Sequence, residues 1–235
     1  DLSTLAPFLL RPWMTNLDHP SHKDSVVHRE IIHLLYHALC QNRLQNGTTL
    51  DKKDIAVYIK AMCAIGGTAI ARDEAIKYNP THTDTPRDYD PVHVWRFIIS
   101  GFYKERNEQE LLRTLRDVDK YAGQDATQWV IQTLSTFYAE EGNIEKATDW
   151  YNKAKEYYAH DRVEENPVHK VYFARLQRTL LMLAIRTSNM KLGQLIIRDL
   201  TAGTPTKFQW EMILEWAVAT GKGADEIDRM IGVME

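Results

Sequence analysis

Cysteine is nearly absent: the 235 residues contain two, Cys40 and Cys63. That is too few for a disulfide framework, and their spacing is not the CxxC of zinc or redox sites. Both read as buried thiols in a reducing compartment. No run of about 18 apolar residues occurs, so no membrane-spanning helix is predicted. A surplus of positive charge is missing too. The formal net charge of −3 provides no overall pull on nucleic acid, so a phosphate-binding surface would have to be a local stripe.

Catalytic signatures are equally scarce. The P-loop pattern, GxGxxG and GxSxG do not occur, which leaves phosphate cradles and nucleophile elbows unsupported. In the stretch HREIIHLLYHALC, His33 and His37 are one helical turn apart, with Glu30 three residues before His33. Carboxylate-bridged metal sites need a second Glu-x-x-His together with further glutamates on facing helices, and no second Glu-x-x-His occurs; Leu34 breaks the HExxH zinc pattern. The loop THTDTPRDYD is rich in acceptors but lacks the spaced carboxylates and glycine of a calcium loop. The expectation is a non-catalytic protein with no cofactor, no metal and no small-molecule substrate. The chain begins at Asp1 rather than Met and reads as a processed or excised piece, from which a targeting peptide would have been lost.

What is present is helical patterning. Composition is ordinary for a globular protein, 44% hydrophobic and 26% charged. From about residue 24 onward the apolar spacing is helical, and no stretch alternates as a half-buried strand must. The predicted class is all-α. Residues 1–23, apolar and punctuated by prolines, are expected to be irregular, and proline-rich or polar loops are expected at 78–91 and 160–167.

The short pair Gly142-Asn143, between two helical segments, has counterparts at Gly66-Gly67, Arg106-Asn107, Ser188-Asn189 and Gly221-Lys222. Eleven, eight, seven and four positions before each turn residue stand Ile55, Tyr58, Ile59 and Met62; Trp95, Ile98, Ile99 and Phe102; Ile131, Leu134, Ser135 and Tyr138; Gln177, Leu180, Leu181 and Ala184; and Trp210, Ile213, Leu214 and Ala217. This is one amphipathic stripe repeated five times, with Ser135 and Gln177 as polar exceptions. Five positions after the turns come Ala71, Leu111, Ala147 and Gly193, small enough in most cases for a second helix to approach closely, and four further on Ala75, Leu115, Tyr151, Ile197 and Met230. The fifth unit has Glu226 at the small position.

A single helical pair cannot bury its apolar face, whereas stacked pairs share a continuous core. The expected architecture is therefore an α-solenoid of stacked helical hairpins forming one domain over 24–235. It would comprise a lone helix at 24–46 followed by pairs at 51–79, 91–121, 125–159, 167–201 and 205–235.

The stretches WRFIISGFYKERNEQELLRTLRDV at 95–118 and WEMILEWAVATGKGADEIDRM at 210–230 resemble the pentatricopeptide repeat family. Residues Leu134, Tyr138, Gly142, Ala147, Tyr151 and Ala154 sit nearer the related tetratricopeptide consensus. The resemblance implies a mitochondrial factor, acting either in assembly of a respiratory complex through protein partners or on single-stranded organellar RNA.

In such solenoids the first helix of each pair lines the concave face. Its polar stripe nominates Lys60, Arg96, Ser100, Lys104, Gln132, Thr133, Thr136, Arg178, Thr179 and Arg186 as the ligand-binding surface. Pentatricopeptide readers of RNA use small amides and hydroxyls near the start of that helix, and here Ala56 and Glu211 depart from the pattern. Five basic residues of the stripe face three acidic ones, Glu140, Glu211 and Glu215. That is a thin surplus for a phosphate track: the stripe reads first as a solvated helix face, then as a protein-binding surface, and last as an RNA-reading one, which leaves protein contacts as the leading function and RNA as the alternative. Trp95, Trp129, Trp150 and Trp216 are possible anchors, although tryptophans at helical spacing more often belong to cores.

Overall fold

The computed structural model describes residues 26–47, 52–78, 90–160, 167–202 and 205–221. Ten helices occur among them: α1 Val26–Gln45, α2 Lys52–Ala64, α3 Thr68–Lys77, α4 Pro91–Lys104, α5 Glu108–Tyr121, α6 Gln124–Glu140, α7 Ile144–His160, α8 Pro167–Arg186, α9 Met190–Leu200 and α10 Lys207–Ala219. No strand is found among the described residues. The irregular segment at 1–23, most of the loops at 78–91 and 160–167, and the second helix expected in the last pair, with Glu226 and Met230, lie outside them.

The five turn residues picked out by sequence register all take left-handed backbone: φ is 76° at Gly66, 54° at Arg106, 74° at Gly142, 54° at Ser188 and 68° at Gly221. In three turns the same asparagine then serves two helices. Its backbone N–H closes the helix behind it, Asn107 to Phe102 at 3.0 Å, Asn143 to Tyr138 at 2.8 Å and Asn189 to Ala184 at 2.7 Å. This is the Schellman closure, which satisfies carbonyls otherwise orphaned at a helix end. Its side chain caps the helix ahead, accepting from the N–H of Glu110, Lys146 and Leu192 respectively. In the first turn Gly67 replaces the asparagine and its N–H reaches the Met62 carbonyl at 2.8 Å. A Cβ there would come within 2.7 Å of the Met62 methyl. Two helices start after a loop instead: α4 is capped by Asp90 with Pro91 in its first turn, and α10 by a Thr206/Gln209 capping box.

The repeated stripe is the core. In α2 and α4 all four stripe residues are buried, and so are Ile131, Leu134 and Tyr138 of α6 and Leu180, Leu181 and Ala184 of α8. Both polar exceptions are buried and hydrogen-bonded: Ser135 donates to the Ala147 carbonyl at 2.9 Å, and Gln177 Nε2 donates to the Tyr151 hydroxyl at 3.1 Å. A buried polar group so partnered has little net cost. All four residues five positions after the turns, Ala71, Leu111, Ala147 and Gly193, are buried as well.

The chain divides into two compact units, 1–133 and 134–235, the division falling inside α6. In the first, α1 packs on α2, α2 on α3 and α4, α3 on α4, and α4 on α5. Here Arg72, 4% exposed, extends from α3 to pair with Glu110 of α5 and with its neighbour Asp73. In the second, α7 packs on α8, α8 on α9 and α10, and α9 on α10.

Helix α10 departs from the expected register. Trp210 is half-buried and Leu214 is 40% exposed, whereas Met212, Ile213, Trp216 and Ala217 are buried. The cause lies on α9, where Gly193 leaves room for the indole of Trp216; a Cβ on Gly193 would overlap that ring. Seating the largest side chain in this notch fixes the rotation of the helix, and Leu214 is turned outward.

Gly193→Ala forces that indole out of its seat. Overpacking of this kind costs about 1–3 kcal/mol, read as a lowered urea midpoint with unchanged slope. A stability equal to wild type would contradict the packing described.

Candidate binding surface

The cations nominated from the sequence are largely engaged with rings. The Lys60 ammonium lies 5.8 Å from the Phe97 ring of α4, the Arg96 guanidinium 4.5 Å from Trp129 of α6, and Arg178 5.3 Å from Phe208 of α10. Arg96 and Arg178 occupy the same place, ten residues before their turns, and their rings likewise, thirteen before the next turn. Arginine over an aromatic face gains quadrupole attraction and keeps its donors available. The two pairs therefore bridge one first helix to the next. Sequence counting treats each arginine as a free cation because the ring stands about thirty residues downstream.

The other nominated residues are placed plainly. Ser100 and Lys104 are exposed on α4; Gln132, Thr133 and Thr136 are half-buried on α6. The tryptophans offer little as anchors. Trp95 and Trp216 are core, Trp129 is half-buried against Arg96, and Trp150 is half-buried with the Lys153 ammonium 4.0 Å from its ring centre.

Three nominated residues do come together. Arg178, Thr179 and Arg186 share one face of α8 with Arg175 and Met182, at spacings of three, four, seven and eleven residues from Arg175, and all five are exposed. With Phe208 of α10 and Glu140 they line a groove of about 880 Å³. Arg178 is steadied from both sides of its fork, by Phe208 and by Glu215 at 3.3 Å. The Thr179 hydroxyl is occupied by the Arg175 carbonyl at 2.9 Å. Arg175 and Phe208 are not among the residues nominated from the sequence. The signal for Arg175 was available, one helical turn before Arg178; that for Phe208 required knowing which helix lies next to α8. A second cavity of about 620 Å³, between α7 and α9, carries Glu145 and Asp149 against Lys191 and Arg198 and so has no charge preference.

The paired histidines of α1 belong to a polar seam with α2 and α3. The Nε2 atoms of His33 and His37 are 3.0 Å apart, and His33 Nδ1 is 2.7 Å from the Tyr58 hydroxyl. Tyr36 stacks on Tyr58 with ring centres 3.9 Å apart and meets the Tyr78 hydroxyl at 2.9 Å. Among the described residues no group of three or more His, Cys, Asp or Glu is arranged to hold a metal ion. Burial, and then the charge of His37, pull His33 below the ordinary histidine range. Burial also raises the Cys40 and Cys63 thiols, which disfavours the reactive thiolate.

No family model matches the chain. The chain is 25% identical over 226 residues to Complex I intermediate-associated protein 84, mitochondrial, of Neurospora crassa. The match takes in 88% of this chain and 26% of that relative, so the chain spans about a quarter of the curated relative it resembles. Among the described residues no helix is long and apolar enough to cross a membrane.

Two measurements check this geometry. A double-mutant cycle of Arg96→Met and Trp129→Leu should return a coupling of about 0.5–1 kcal/mol; additive effects would remove the bridge. For His33 the folded state resists a proton that the unfolded chain accepts below about pH 6.5. Stability is then full above that pH and declines as pH falls toward the lowered folded pKa. The thermal midpoint should drop on acidification from about pH 7.5, and His33→Gln should flatten that drop. An unchanged slope in the variant would assign the acid sensitivity elsewhere.

Proposed function

We propose that this chain is a non-catalytic helical-repeat scaffold of pentatricopeptide type that serves assembly of mitochondrial complex I through protein contacts. The observation that carries the reading is the similarity, over most of the chain, to a mitochondrial protein named for its association with complex I intermediates. The packing supports it: α2 contacts both α3 and α4, and α8 both α9 and α10, so that in each unit one first helix meets its own second helix and the next first helix, as stacked helical pairs do. A scaffold of this kind acts by shape, presenting a row of helix faces to an extended or helical segment of its partner. The same similarity supports a mitochondrial location.

The alternative, binding of single-stranded organellar RNA, draws less support from the surface. Arg96 and Arg178, which would have to follow the phosphates, already sit over rings, Glu215 is paired with Arg178, and Glu140 lines the same groove. Affinity-tagged full-length protein, purified from mitochondria, should retain complex I subunits or subassemblies. Recovery of RNA or ribosomal proteins without complex I subunits would overturn the assembly reading and favour the alternative.

A further inference from the structure

The groove along α8 is defined chemically as well as by shape, and we propose that it docks an acidic amphipathic helical segment of a protein partner. The proposal rests on the scaffold reading above and assigns its contact surface. Arg175 and Arg186 are eleven residues apart on one face of α8, hence about 16 Å along the helix. Between them Met182 is 44% exposed, an apolar side chain that reaches into the cavity with Phe208 on the neighbouring wall. Thioether and ring together form a floor that adapts to the apolar face of a helix.

The charges select the polar face of that helix. Three arginines line the cavity against one glutamate, Glu140. Arg178 is held in place by Phe208 and Glu215, so little side-chain freedom is lost when a carboxylate meets its remaining donors. Arg175 and Arg186 have no ion-pair partner among the described residues and offer whole guanidinium forks, which match carboxylates in two-point geometry. A nucleic acid suits the groove less well. The ring that could stack a base, Phe208, is covered by Arg178, and Glu140 would face the phosphates.

The test uses the full chain and fluorescence anisotropy with three labelled probes: a synthetic amphipathic peptide of about four helical turns with leucine on one face and glutamate on the other, its lysine counterpart, and single-stranded oligouridylate. The acidic peptide should bind, and Arg175→Glu with Arg186→Glu should weaken it by about tenfold or more. Met182→Glu should weaken it as well, while Lys191→Glu with Arg198→Glu, on the second cavity, should not. Circular dichroism and melting confirm that these exposed substitutions leave the protein folded. Absence of acidic-peptide binding up to about 1 mM, equal or tighter binding of the lysine peptide or the RNA, or indifference to the paired arginine reversal would each overturn the proposal. Retention of complex I subunits by both wild type and the reversed variant would sink the groove alone. Failure of wild type to retain them would sink the assembly reading, with the peptide titration still deciding the groove.

Discussion

Among the described residues, each of the five short turns aligned by the repeated stripe depends on one residue held in left-handed backbone. That conformation lets a helix end and the next begin within a few residues, because the carbonyls left open at one end and the N–H groups left open at the other are satisfied within the turn itself. In three of the turns an asparagine does both, bonding backward through its backbone and forward through its side chain. The cost of left-handed geometry at Arg106 and Ser188, about 1 kcal/mol each, is offset by the capping that their neighbours provide. With the ends so joined, the apolar stripes that precede the first four turns are delivered in register to the buried residues that follow them, Ala71, Leu111, Ala147 and Gly193.

This explains which features were legible in the sequence. Turns and stripes are local: a glycine or its substitute, an asparagine after it, and apolar residues at helical spacing lie within about fifteen residues of one another and can be aligned without knowledge of the fold. The rotation of α10 is not local. It follows from the fit of Trp216 against Gly193, a glycine that in sequence looks only like one more small residue. Likewise Ser135 and Gln177 look like faults in a stripe until the Ala147 carbonyl and the Tyr151 hydroxyl are seen to receive them.

The surface was legible to a lesser degree. Periodicity placed Arg178, Thr179 and Arg186 on one outward face, and the structure has them there beside a groove. What periodicity does not supply is the use each charge is put to. Arg96 and Lys60 face rings from the following helix, so residues that read as ligand contacts help to bind helix to helix. Where the arginines of α8 flank an exposed methionine, the surface keeps both open charge and open apolar area.

The turn has a further consequence for divergence. What it demands is a conformation and an acceptor, which glycine, arginine or serine followed by asparagine all meet here, and which a pair of glycines meets with one hydrogen bond fewer. Repeats under such a demand can lose their shared letters while keeping their shared geometry. Within this single chain five turns agree more closely in backbone angle than in residue identity, so their likeness is written in torsion rather than in spelling.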